Sequence, residues 1–235
     1  MIPSKAFYID PENMDASNFQ LDMDESRHAL QVLRLEINDE ICLLNGIGTG
    51  FIGVVRSINN DLVSGLIKKE LKGLGENIIN IVLAPAIIKR DRFENLIEKA
   101  TEIGINMIQP LALDRCVKKT INIERCEKII RSSAKQCLRS KFPKVNSPVN
   151  MQNFIDNLFG QTLAGMMDSS KSLSKIDFNK GEPINVIIGP EGDFSNRELN
   201  MMKDVGVHFY SLGSRRLRSE TASLTSISIL NEILN

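Results

Sequence analysis

The sequence predicts an α/β protein in which a parallel sheet is covered by helices and a small β-rich region comes first. Three patterns predict it. The apolar run from Ile78 to Ile88, a helical pattern and a second apolar run from Ile105 to Leu113 make a strand–helix–strand unit, which requires parallel pairing. Two glycine-punctuated turns between Val186 and Leu224 each join an apolar run to a helix, so both sit at one strand-end edge, where open α/β sheets bind ligands. The first 70 or so residues carry short β-type runs between turn residues, as a small barrel or curled sheet does.

In chain order, Asp24 to Leu33 reads as a short helix among strands at Ile41 to Leu44, Phe51 to Ile58 and Leu62 to Ile67. Asn45-Gly46 and Asn59-Asn60-Asp61 are the turns between them. His28 fits a structural hydrogen bond better than catalysis, having no partner Cys or Ser nearby in sequence. The glycine-containing connection from Leu71 to Gly75 places a domain boundary at 72/73. Asp91 with Glu94 signals a helix start; Phe93, Leu96, Ile97, Ala100 and Ile103 keep helical spacing, and Gly104 ends it. Asn122 caps a helix from about Ile123 to Arg139, and Val149 to Phe159 is a further helix. Thr162 to Met167 is a buried strand, and Asp168 to Lys175 is a loop. In the last helix, Glu220 to Leu234, apolar residues spread over more than half the circumference, wider than one sheet face needs. Either a subunit interface or a wrapped loop would cover the excess.

The 235 residues are 42% hydrophobic and 25% charged, within the soluble globular range. No apolar run approaches the roughly 20 residues of a membrane span, and MIPSKAFYID lacks the apolar region of a signal peptide. Neither a membrane partner nor export is expected. Cys42, Cys116, Cys126 and Cys137 form no CxxC pair, so no metal site or disulfide framework is expected and a cytoplasmic location is. The formal net charge is zero but segregated: Asp10 to Glu40 has nine acidic residues against two Lys/Arg, and Arg115 to Lys144 has ten Lys/Arg against two acidic residues. The basic segment is either a solvated lysine-rich helix or a face that tracks phosphates.

The two turns carry the chemistry. In VIIGPEGDFSNRE, Gly189 and Gly192 permit close approach to the main chain, Pro190 stiffens the turn, and Ser195 with Glu198 forms a capping box. In FYSLGSRRLRSETA, Gly213 precedes Arg215, Arg216 and Arg218, three cations that repel unless an anion or carboxylates answer them. Beside the paired glycine turn, an anionic ligand is the stronger reading; a solvated loop paired with Glu191 or Glu220 is the other.

Gly189-Pro190-Glu191-Gly192, and Leu212-Gly213 with Arg215, Leu217-Arg218 and Glu220-Thr221-Ala222, resemble the hallmark turns of the RsmE family of 16S ribosomal RNA uracil-N3 methyltransferases, in the SPOUT superfamily. The likeness extends to Lys99-Ala100-Thr101-Glu102-Ile103-Gly104, to Ala134, Gln136, Arg139 and Pro143, and to His28 with Val32-Leu33-Arg34, and so covers most of the chain in order. Departures are Asp193 for a usual glycine, Arg216 for an aliphatic residue, Lys135 for a glutamate and Cys126 for an aromatic residue.

The resemblance implies a PUA-like RNA-binding β-barrel over residues 1–72 and a SPOUT α/β domain with a deep trefoil knot over 73–235. It implies S-adenosylmethionine as cofactor, no metal, a homodimer, and 16S rRNA within the small ribosomal subunit as partner. The cofactor would be held by Leu163, Gly165, Ile188, Gly189, Glu191, Gly192, Leu212, Gly213 and Leu217. Arg218, or else Arg215, would stabilise the anion developing on uracil. Glu220 would orient that arginine, accept the N3 proton, or serve only as a charge at a helix N-terminus. Arg34, Arg131, Arg139 and Lys141 would grip RNA. The rival readings are another RNA methyltransferase of the superfamily, and an RNA-binding assembly factor without catalysis. A generic nucleotide-binding protein is disfavoured, because neither a Walker lysine motif nor a dinucleotide fingerprint is present.

Overall fold

The computed structural model describes residues 1–179 and 181–234. The chain divides into two compact units, residues 1–76 with 131–142, and residues 77–130 with the chain from 143 onward.

The first unit is a five-stranded sheet of β1 (Ala6–Tyr8), β2 (Asn18–Gln20), β3 (Glu40–Leu44), β4 (Thr49–Asn59) and β5 (Leu62–Lys72), in the order β1-β3-β4-β5-β2. All pairs are antiparallel except β1 with β3. β4 and β5 are joined through Asn60 and Asp61 at φ +50° and +62°, the left-handed pair that a two-residue hairpin needs and that Asn and Asp tolerate best after glycine. Phe7, Phe19, Leu21, Ile41, Leu43, Val55 and Val63 fill its core. The helix expected over 24–33 is α1 (Met23–Arg27), capped by Asp22, running into a π-helical turn at His28–Val32. Ser26 fastens it by donating to Leu21 O and accepting from Val63 N.

The second unit is a six-stranded, wholly parallel sheet of β6 (Ile81–Pro85), β7 (Met107–Ile108), β8 (Lys144–Val145), β9 (Gln161–Gly165), β10 (Ile184–Ile188) and β11 (His208–Tyr210), in the order β11-β9-β10-β6-β7-β8. Every residue of β10 is buried, as befits a central parallel strand with both faces covered. The run Ile78–Ile88 is strand only over its middle five residues, with Ile78 88% exposed and Ile87 and Ile88 buried beyond the ladder, and Ile105–Leu113 is strand only over two.

The helices are α2 (Arg90–Ile103), α3 (Ile123–Gln136), α4 (Met151–Ile155), α5 (Asn196–Asp204) and α6 (Ser219–Leu234). α4 and α5 pack with Ala84, Ala164 and Ile187 on one face of the sheet. Strand alternation puts Leu83, Leu163 and Val186 on the other, where α6 contacts β6, β10 and α2. Asn122 caps α3, Ser195 and Glu198 form the full capping box of α5, and Gly104 closes α2 at φ +106°, each as its local sequence predicts. The start of α2 differs: Lys89 is its N-cap without a side-chain bond, while Asp91 pairs with Lys89 and Glu94 with Arg90. β6 hands the chain through α2 to β7 on one side, and β10 hands it through α5 to β11 on the other. The crevice between the ends of β6 and β10 is therefore the topological switch point of the sheet.

Candidate functional site

The last residues of β9, β10 and β11, Gly165, Ile188 and Tyr210, are in register, so the loops that follow leave the sheet side by side. Between them lies a cavity of about 550 Å³, walled by residues 165–167, by 188–191 with Asp193, and by Tyr210, Leu212, Gly213, residues 215–219 and Ala222. That volume suits a small-molecule ligand.

The first glycine turn is fixed by its own hydrogen bonds and by two arginines. Asp193 N donates to Pro190 O at 2.9 Å, and Asp193 itself sits at φ +64°, where glycine is favoured and Asp tolerated; its carboxylate accepts from Phe194 N at 2.8 Å. Arg115 Nη1 donates to Gly192 O at 2.7 Å, and Arg216 Nη2 to Glu191 O at 2.9 Å. These carbonyls are thus occupied by arginines.

Ser211 shapes the second turn. Its hydroxyl accepts from Gly213 N and donates to Met167 O, each at 3.2 Å, so the β11 loop is tied to the β9 loop. Met166 N also donates to Tyr210 O at 2.8 Å. Gly213 has φ +111°, and a Cβ built there meets nothing within 4 Å. The angle and not crowding is what requires glycine, and the space beside it belongs to the cavity.

Chemically, the cavity offers main-chain groups, aliphatic surface from Ile188, Leu212 and Leu217, and the exposed guanidinium groups of Arg215 and Arg218. Among the described residues neither of those two side chains has an ion-pair partner. Behind the cavity, the buried Tyr210 hydroxyl bonds Ser226 Oγ at 2.7 Å. Burial pushes its ionisation up, so it stays a neutral hydroxyl. No group of three or more His, Cys, Asp or Glu side chains suited to a metal occurs among the described residues.

Of the sequence-predicted cofactor residues, Gly165, Ile188, Gly189, Glu191, Leu212, Gly213 and Leu217 line the cavity, as do Arg215 and Arg218. Leu163 does not; it is fully buried two residues before the end of β9. Gly192 stands just outside the lining. Glu220 opens α6 behind the wall: one carboxylate oxygen is 3.8 Å from Arg92 Nε, and the other is buried without a hydrogen-bond partner. Arg34 (at φ +50°), Arg131 and Lys141 are exposed in the first unit, with Arg131 stacked 4.3 Å over the Tyr8 ring. Arg139 is a correction. It is 2% exposed and paired with Glu76 at 2.7 Å, so it braces the first unit and presents no charge to a surface ligand. Arg92 and Arg115 escaped sequence reading, since nothing local marks a residue whose partner is 99 or 77 positions away.

The profile of the RNA methyltransferase domain matches residues 75–231, and that of the RNA methyltransferase PUA domain residues 21–68. The chain is 32% identical over 232 residues to ribosomal RNA small subunit methyltransferase E of Rickettsia conorii, covering 94% of this chain and 92% of that one. The enzyme of that name from Buchnera aphidicola is also 32% identical, with 95% and 91% covered. The crystal structure of the Neisseria gonorrhoeae ribosomal RNA small subunit methyltransferase E bound to S-adenosyl methionine superposes with a TM-score of 0.90 at 27% identity, covering 98% of each chain. A Legionella pneumophila structure with bound SAM cofactor gives 0.87 at 28% identity, also covering 98% of each.

Proposed function

We propose that this chain, which belongs to the RNA methyltransferase family, is an S-adenosylmethionine-dependent enzyme that methylates N3 of a uridine in 16S ribosomal RNA. The observation that carries the reading is the single cavity wall built by three in-register strand ends and two glycine turns, in a fold shared with relatives solved with that cofactor. The cavity fits the group on its own terms: its volume, its main-chain donors and acceptors, the aliphatic side chains and the freedom beside Gly213 suit a nucleoside cofactor held without a metal.

Gly165, Ile188, Gly189, Leu212, Gly213 and Leu217 would hold the cofactor, with Glu191 and Gly192 shaping its loop. When bound, it supplies a methyl carbon on a sulfonium, whose bonding pair returns to sulfur as the uracil nitrogen attacks. The chain's own part is alignment and charge. Holding reactants in near-attack geometry lowers the barrier substantially, and Arg218, seconded by Arg215, would stabilise negative charge on the uracil oxygens as the N3 proton leaves. Glu220, at the head of α6, would receive that proton.

Residues 1–72 would act as a PUA-like barrel, with Arg34, Arg131 and Lys141 reaching RNA phosphates, and residues 73–235 as a SPOUT domain with a trefoil knot. The return of β9 between β11 and β10 supports the latter topology. The homodimer expected of the family is supported by the wide apolar arc of α6, on which Ile233 is still 41% exposed. The enzyme would work in the cytoplasm on the small subunit; no described helix is long and apolar enough to cross a membrane.

The test is methyl incorporation from labelled cofactor into small-subunit particles, followed by nucleoside mass spectrometry. Label in 3-methyluridine supports the reading. Label in another nucleoside assigns a different methyltransferase reaction, and binding without label assigns an assembly factor.

A further inference from the structure

We propose that Arg92, on a helix that contributes nothing to the cavity wall, is a positioning residue for methyl transfer, tying Glu191 of the β10 loop to Glu220 at the head of α6. The proposal rests on the function proposed above. Arg92 Nη1 lies 3.0 Å from Glu191 Oε1, and Arg92 Nε lies 3.8 Å from Glu220 Oε1. One guanidinium from α2 thus spans the switch point, where the loops after β6 and β10 part, and reaches two elements that bound the cavity.

Stability is not what this contact chiefly supplies. The Glu191 carboxylate is 51% exposed, and ion pairs that wet add little. Placement is the larger effect. Glu191 sits on a loop whose carbonyls already face Arg115 and Arg216, and Arg92 is the one described side chain that holds its carboxylate. Glu220 is 14% exposed. Its first oxygen faces Arg92 and its second is buried without a partner. A buried acceptor left open is costly, so a donor that arrives with a ligand gains by meeting it. The imide N–H of a uracil is such a donor. Arg92 would hold the carboxylate with one oxygen engaged and the other free to accept that N3 proton, while the nitrogen's freed pair forms the new bond to the methyl carbon. No other cation is recorded in an ion pair with Glu220 among the described residues, so losing Arg92 frees the carboxylate to turn.

The test uses the full chain with S-adenosylmethionine and small-subunit particles, comparing wild type, Arg92→Lys and Arg92→Ala. Melting temperature and cofactor affinity should stay near wild type in both variants. The transfer rate at saturating cofactor and RNA should fall about 100-fold in Arg92→Ala, the scale expected of a misplaced reacting group. Guanidinium chloride should restore part of it where urea at equal concentration does not, and Arg92→Lys should fall between. An unchanged rate, a rate loss matched by loss of cofactor affinity, or rescue by urea as good as by guanidinium would overturn the proposal. A wild-type protein that binds cofactor yet transfers no methyl would overturn the proposed function itself, and the positioning role with it.

Discussion

The hydroxyls of Tyr210 and Ser226 lie 2.7 Å apart, the last residue of β11 facing the second turn of α6 directly behind the cavity. Tyr210 is fully buried, and Ser226 also donates to Ala222 O at 2.7 Å, so the pair sets the distance from the sheet to the helix that carries Ala222 of the cavity wall. Tyr210→Phe keeps the ring and leaves Ser226 its own carbonyl. It should lower stability by about 1 kcal/mol, as one neutral hydrogen bond does. Denaturant titration of both proteins checks this, and cofactor affinity should weaken along with it.

Arg216 joins the two glycine turns through its bond to Glu191 O. Its guanidinium is exposed, so the bond is discounted for solvent. Arg216→Leu should weaken cofactor binding roughly 3- to 5-fold, less than 1.4 kcal/mol, without unfolding the protein. Calorimetric titration of the variant measures it.

The thiols should be inert in the native protein. Burial pushes Cys42 and Cys126 up to about 11, and raises Cys116 as well. A thiol far above its ordinary value holds almost no thiolate near neutral pH, and thiolate is the reactive form. Labelling with a thiol reagent at about pH 8 should therefore leave these three cysteines unmodified in the folded chain. All four should react after denaturation.

Removing the exposed cations Arg34, Arg131 and Lys141 together should weaken binding to small-subunit RNA. It should also flatten the log–log salt dependence by about 2 to 3, one phosphate contact for each charge lost. Arg139→Gln should behave differently. It breaks the buried pair with Glu76 and should cost about 3 kcal/mol or more of stability, the scale of an ion pair broken from one side. Binding isotherms over a salt series and thermal melts separate the two effects.

What could be read in the sequence was local. The Ser195–Glu198 capping box, the Asn122 cap and the left-handed Gly104 all follow from residues within four positions of each other. The cavity's glycine turns were legible for the same reason: an apolar run, a glycine and a cap are contiguous signals. Strand limits were not, because an apolar run does not mark where the ladder ends: Ile78 is 88% exposed, and Ile87 and Ile88 are buried beyond the end of β6. Arg139 reads as an RNA-facing cation from the resemblance, whereas its burial is made tolerable by partners distant in sequence, Glu76 at 63 residues among them. Arg92 lies in an ordinary charged helix start, and its meaning appears when Glu191 and Glu220 are brought beside it by the parallel sheet.

The central claim is that the cavity between the β9, β10 and β11 loops holds S-adenosylmethionine, and calorimetric titration of wild type against Gly213→Val tests it most directly. Gly213 has φ +111°, which a β-branched residue enters only under strain of about 1–3 kcal/mol. The account predicts one cofactor per chain for wild type and, for a variant still folded though lowered in melting temperature, at least about tenfold weaker binding. No heat with wild type, or equal affinity in the two proteins, would contradict it.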